Sequence, residues 1–171
     1  MTGAKGSITS VAGSWIVPSL NCGSTPNGYS AVWVGIDGYS SNTVEQIGTE
    51  SDCVNGIAEN YAWFEFYPHN YFTIESALVK PGDIITASVA YSASKFTVSL
   101  SVNGGKPFIT STKMSQAERS SAEWIVEAPY SGGVLPLADF NTTYLGVDST
   151  GVAGTNSAKT SGVSGAGAVG S

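Results

Sequence analysis

Apolar and polar side chains alternate along most of this chain with the period of a strand, not a helix. Segments 8–17, 30–37, 43–48, 60–67, 71–79, 83–91, 95–102, 107–113, 121–128 and 141–147 are short, rich in Val, Ile, Thr and aromatics, and separated by turn residues. Asn103-Gly104-Gly105 predicts a hairpin and Pro81-Gly82-Asp83 a turn. The one helix-like stretch, Lys113 to Arg119, is too short to count for much. Short strands without interleaved helices predict an all-β antiparallel sandwich or barrel. The pattern stops near residue 148, after which Ser149–Ser171 is almost entirely Gly, Ser, Ala, Thr and Val. We divide the chain into a β-sandwich over 1–148 and, over 149–171, a flexible tail or a small-residue terminal strand.

Alternation gives each strand two faces. One face of 31–37 carries Val32, Val34 and Ile36; the other carries Ala31, Trp33, Gly35 and Asp37. In 61–67, Ala62, Phe64 and Phe66 oppose Tyr61, Trp63, Glu65 and Tyr67. In 122–127, Ala122, Trp124 and Val126 oppose Glu123, Ile125 and Glu127. The apolar faces predict a sandwich core. The mixed faces concentrate Trp and Tyr beside carboxylates, which suits a groove for an extended polymer or, equally, a partly wet second packing layer.

Composition narrows the chemistry. Lys and Arg number 7 and Asp and Glu 13 of 171 residues, only 12% charged, with a net charge of −6. A nucleic-acid backbone or an anionic membrane needs a basic footprint, and this chain has none. The single histidine, His69, and the two cysteines, Cys22 and Cys53, are too few for a four-ligand Cys/His zinc site. The cysteines read as one disulfide of an extracellular protein, or else as two buried thiols.

Four stretches then stand in order: Ser30-Ala31-Val32-Trp33-Val34-Gly35-Ile36-Asp37-Gly38, Glu45-Gln46-Ile47-Gly48, Ala62-Trp63-Phe64-Glu65-Phe66-Tyr67-Pro68 and Ala122-Glu123-Trp124-Ile125-Val126-Glu127. Together they resemble the glutamic peptidase family, the pepstatin-insensitive acid proteases also called eqolisins. The resemblance covers about residues 8 to 147. It implies a lectin-like sandwich of two bent antiparallel sheets, with the substrate lying across a concave face. It also implies an acid endopeptidase acting on polypeptides as a secreted or cell-surface monomer, with no cofactor and no metal. Carried over residue by residue, the catalytic pair is Gln46 and Glu123, and the groove residues are Trp33, Asp37, Trp63, Glu65 and Tyr67.

The pair makes chemical sense. Amide hydrolysis needs a base for the attacking water, a donor for the oxyanion and an acid for the leaving nitrogen. Glu123 can serve as base and then acid; Gln46 can position the water and donate to the oxyanion. A carboxylate with a pKa near ~4.3 is still partly ionised in mild acid, where a histidine would be charged. Two other readings compete. A glycan-binding or glycan-cleaving sandwich would use Glu65 and Glu123 and dispense with Gln46. A non-catalytic surface module would keep only the fold.

Overall fold

The computed structural model describes residues 1–146 and 155–161. Within them the chain forms β1 (Ile8–Ile16), β2 (Tyr29–Asp37), β3 (Val44–Val54), β4 (Ile57–Tyr67), β5 (Phe72–Thr73), β6 (Ile84–Ser92), β7 (Lys95–Val102), β8 (Phe108–Thr112), β9 (Ala122–Glu127) and β10 (Ser157–Thr160). No helix occurs among the described residues. The strands build two five-stranded sheets, ordered β10-β1-β6-β7-β8 and β5-β4-β3-β2-β9. Every strand pairing is antiparallel. The fold is an antiparallel β-sandwich.

The faces predicted to be apolar meet between the sheets. Val32, Val34, Ile36, Ile47, Ala62, Phe66 and Ala122 of one sheet are buried with Val11, Trp15, Val89, Phe96, Val98 and Leu100 of the other. Two indoles cross this core with their polar ends satisfied. Trp15 Nε1 donates to Thr49 Oγ1 at 2.9 Å, and Trp124 Nε1 donates to the Ala12 carbonyl at 2.8 Å. Each bond ties one sheet to the other.

Several elements differ from the sequence expectation. β3 and β4 extend to a two-residue hairpin at Asn55-Gly56, both with positive φ (52° and 81°), so the strands expected over 43–48 and 60–67 are longer. Of 71–79 only Phe72–Thr73 pairs as strand, because Ala77 N–H turns back to the Ile74 carbonyl. The expected strand 141–147 is not regular over its described part, 141–146, where Leu145 forms a single bridge to Trp15. The outer edge of β1 is divided: β10 takes Ile8–Ala12, leaving the end near Trp15 for Leu145. The helix-like 113–119 is not a helix, since the N–H groups of Glu118 and Arg119 bond to the Asp37 carboxylate instead. Of the 149–171 segment, 155–161 is described, and within it Ser157–Thr160 is strand β10, paired with β1; 149–154 and 162–171 lie outside the described residues.

Cys22 and Cys53 are disulfide-bonded, with Cα atoms 5.4 Å apart. Cys53 lies within β3, so the bond pins the segment after β1 to the far end of β3.

Candidate active site

Antiparallel register arranges the outer face of the β5-β4-β3-β2-β9 sheet in rows, because directly opposed residues project to the same side. Gly35 lies opposite Gln46 of β3 and opposite Glu123 of β9, and Gln46 lies opposite Glu65 of β4. The first row therefore reads Glu123, Gly35, Gln46, Glu65. Two residues further along comes Ile125, Trp33, Gly48, Trp63, and then Glu127, Ala31, Glu50, Tyr61. A cleft of about 560 Å³ runs over this face, lined among others by Gln46, Glu65, Trp63, Tyr67, Glu50, Glu127 and Tyr130.

Gly35 separates the two proposed catalytic side chains. Strands two apart in a sheet are roughly 10 Å apart, and the Gln46 amide is bonded to Glu65 on one side while the Glu123 carboxylate is bonded to Ser121 on the other. The Trp33 ring already leans over Gly35: a Cβ there would fall 2.8 Å from Trp33 Cζ3 and 3.3 Å from Gln46 Cβ. Gly48 lets β2 approach closely, since a Cβ there would fall 2.5 Å from both Trp33 Cβ and the Val32 carbonyl oxygen.

Each predicted site residue has a definite environment. Gln46 is buried; its Nε2 donates to Glu65 Oε2 at 2.6 Å, while its Oε1 has no hydrogen-bond partner among the described residues. Glu65 is half-buried; burial pushes its pKa up and the Gln46 bond pulls it back. Glu123 is half-buried, and its Oε1 accepts from the Ser121 hydroxyl at 3.0 Å. Burial raises the Glu123 pKa, Ser121 lowers it, and Asp37 and Glu127 raise it further. Trp33 and Trp63 are nearly buried, and Trp33 Nε1 donates to Glu127 Oε1 at 2.8 Å. Tyr67 is exposed at the cleft rim.

Asp37 differs from the expectation. It is fully buried, at the end of β2 with φ of 69°, and is not a cleft-lining residue. Its carboxylate accepts the backbone N–H groups of Glu118, Arg119 and Ser120, each at 2.8 Å. It therefore holds the loop that leads into Ser121 and Glu123, where direct substrate contact was expected.

The cleft also contains residues that the sequence reading passed over. Glu50 and Asp52 are almost completely buried on β3, beyond the point where the strand was expected to stop. Burial is the main cause raising Glu50 to about 8 and Asp52 to about 6. The alternation through Glu50 and Asp52, closed by Asn55-Gly56, was the signal for both. Among the described residues no group of three or more His, Cys, Asp or Glu is arranged to hold a metal ion. None of the described helices is long and apolar enough to cross a membrane, the described chain being strand and loop.

Gln46, Trp63, Glu65 and Tyr67 line the cleft, whereas Glu123 and Trp33 are not among its lining residues and share the same sheet face through the register of β2 with β3 and β9. The chain belongs to the Peptidase A4 family, whose model matches residues 1–170. It is 30% identical over 170 residues to aspergillopepsin-2 of Aspergillus niger, covering 83% of this chain and 60% of that protein. The chain thus spans less than two thirds of that relative's length. Among solved structures it resembles scytalido-glutamic peptidase in complex with a peptide-based transition-state analogue, with a TM-score of 0.75, 23% identity, and coverage of 95% of this chain and 78% of that one. It also resembles aspergilloglutamic peptidase from Aspergillus niger, with a TM-score of 0.60, 28% identity, and coverage of 66% and 71%.

Proposed function

We propose that this protein is an acid endopeptidase that hydrolyses polypeptides with Glu123 and Gln46, and that it works outside the cell. The observation that carries the reading is the shared register of both residues on Gly35. Gly35 places no side chain of its own between them; the Trp33 ring borders that space, and a substrate carbonyl and one water enter beside it. Ionised Glu123 removes a proton from that water as it attacks the carbonyl carbon. The Gln46 carbonyl, buried and without a hydrogen-bond partner among the described residues, orients the water once the substrate is seated. The second Nε2–H of Gln46 donates to the developing oxyanion, while the first stays on Glu65 and fixes the amide's orientation. Glu123 then passes its proton to the leaving nitrogen and is regenerated.

The environment of Glu123 tunes it for both halves of the proton transfer. Its pKa lies above the ordinary carboxylate value, which makes the ionised form a stronger base for the water and the protonated form a ready donor, and moves the acidic limb of the activity profile above the ordinary carboxylate range. Gln46 does not titrate and remains a donor at any pH. The Gln46–Glu65 bond favours this reading over glycoside cleavage, because it commits Glu65 to an amide. The disulfide suits an oxidising compartment.

The test is digestion of an unfolded protein from pH 2 to 7 with pepstatin present. Wild type cleaves in acid, and Glu123→Gln and Gln46→Ala both lose the activity while keeping the wild-type melting temperature. Retained cleavage in Gln46→Ala would remove Gln46 from the mechanism; no proteolysis by folded wild type, together with glycan cleavage that Glu65→Gln abolishes, would replace the peptidase reading by the glycosidase arrangement of carboxylates.

A further inference from the structure

Positive charge is scarce in this chain and yet gathers at one place. Three of its seven Lys and Arg residues, Lys5, Lys113 and Arg119, border a concavity of about 370 Å³. It lies where the segment before β1, the loop after β8 and the turn between β6 and β7 meet. It shares no lining residue with the cleft of Gln46 and Glu65. One carboxylate, Glu118, stands among the three cations, and its Oε1 is taken by Lys5 Nζ at 3.1 Å. Arg119 and Lys113 form no ion pair among the described residues. Like charges so placed repel, in a protein whose net charge of −6 offers carboxylates elsewhere.

Arg119 is fixed before any ligand arrives. Its backbone N–H donates to Asp37 Oδ2 at 2.8 Å, with φ held at 52°. Its guanidinium carbon sits 4.0 Å from the centre of the Tyr91 ring, a cation–π contact. Nη1 donates to the Ile8 carbonyl at 3.4 Å, the one hydrogen bond of this side chain among the described residues. Tying the loop to β6 accounts for the ring contact, but not for the lysines beside it or for the hollow. The walls of that hollow are apolar, formed by Tyr91, Phe96 and Met114. A bare inorganic ion would leave those walls uncovered, and a neutral apolar molecule would leave the cations without a countercharge. An anionic head on a compact apolar body satisfies both, with charge-assisted hydrogen bonds to a preorganised guanidinium. We propose that this concavity binds a small organic anion, its head on Arg119 and Lys113 and its apolar body against Tyr91, Phe96 and Met114.

The probe is benzenesulfonate, a permanent anion on an apolar ring. Titration calorimetry on the full chain at pH 6 and low salt reads its affinity, with two comparison ligands that each lack one half of it. Sulfate, without the ring, and benzenesulfonamide, without the charge, each bind at least about tenfold more weakly. Arg119→Gln weakens benzenesulfonate by about tenfold, the scale of one charge-assisted hydrogen bond. Lys113→Gln weakens it roughly two- to fivefold, as suits an exposed cation. Glu118→Gln removes the one carboxylate among the cations and tightens binding by roughly the same factor. Lys113 is exposed, so its variant keeps the fold even if Arg119→Gln loosens the loop on Asp37; melting temperatures of all three variants check this. Failure of folded wild type to bind benzenesulfonate at millimolar concentration overturns the site. Sulfate as tight as benzenesulfonate reduces it to a surface that attracts any anion, and benzenesulfonamide as tight reduces it to an apolar hollow; either overturns the proposal. Affinity unchanged in both Arg119→Gln and Lys113→Gln puts the anion elsewhere and overturns it too. None of these readings depends on Gln46 or Glu123, so the site stands or falls apart from the peptidase.

Discussion

Glu45 is the side chain whose replacement most directly tests how acid stabilises this fold. It lies on the inward face of β3, opposite Ile36 of β2 and Phe66 of β4, and is 0% exposed. Burial, with a smaller contribution from Asp37, raises its pKa from 4.5 to about 8. In the unfolded chain the group loses its proton near 4.5, while the folded chain keeps it to about 8. Below pH 4.5 both states are protonated and the stability is fully present; it falls as pH rises to about 8 and is then level. At about 1.36 kcal/mol per pH unit, the gap between 4.5 and about 8 costs the fold about 5 kcal/mol. That is a large share of the 5–15 kcal/mol typical of a domain. For a chain of this size it corresponds to a fall of roughly 10–20 °C in melting temperature. The assay is urea unfolding followed by tryptophan fluorescence at pH 4, 5, 6, 7 and 8, for wild type and Glu45→Gln. Other buried carboxylates also weaken the wild type with pH, so the difference between the two proteins isolates Glu45. Near pH 4 they match within about 1 kcal/mol, and by pH 8 Glu45→Gln is the more stable by several kcal/mol. Parallel stability-against-pH curves would refute the reasoning.

Other expectations are equally direct. Asp37→Asn weakens the anchor on Glu118, Arg119 and Ser120, costing about 1–3 kcal/mol. On peptide substrates it lowers kcat more than KM, since the loop it holds positions Glu123; an unchanged kcat would remove that positioning role. Gly35→Ala drives a methyl into the Trp33 ring and narrows the space between Gln46 and Glu123. Steady-state kinetics with this variant show activity reduced at least about tenfold, far more than its shift in melting temperature accounts for. Ser121→Ala removes the hydroxyl that lowers the Glu123 pKa, so the acidic limb of the kcat/KM profile moves to higher pH. Reduction of Cys22–Cys53, which spans 31 residues, lowers stability by about 3–4 kcal/mol in denaturant titrations.

Much of this protein was legible from local chemistry. Period-two alternation assigns Val32, Val34 and Ile36 to one side and Trp33 and Gly35 to the other, because a strand has only two faces. Turn residues likewise marked Gly82 and Gly104, both of which adopt positive φ. The order of the four motifs was enough to name the family and to single out Gln46 and Glu123. Glu50 was missed through an early strand end, an error of reading, since Asn55-Gly56 stood in plain view. What alternation could not supply was register. Only the pairing of β2 with β3 and β9 puts Gln46 and Glu123 on either side of one glycine, and a slip of a single residue would have turned either one into the core. Nor could local pattern foresee Asp37, whose carboxylate is taken by N–H groups more than eighty residues away in sequence. The same holds for Ser157–Thr160, a polar stretch with little strand character of its own that is strand because β1 presents it with an open edge. Local side-chain chemistry determines which face a residue occupies; long-range backbone pairing decides which residues meet there.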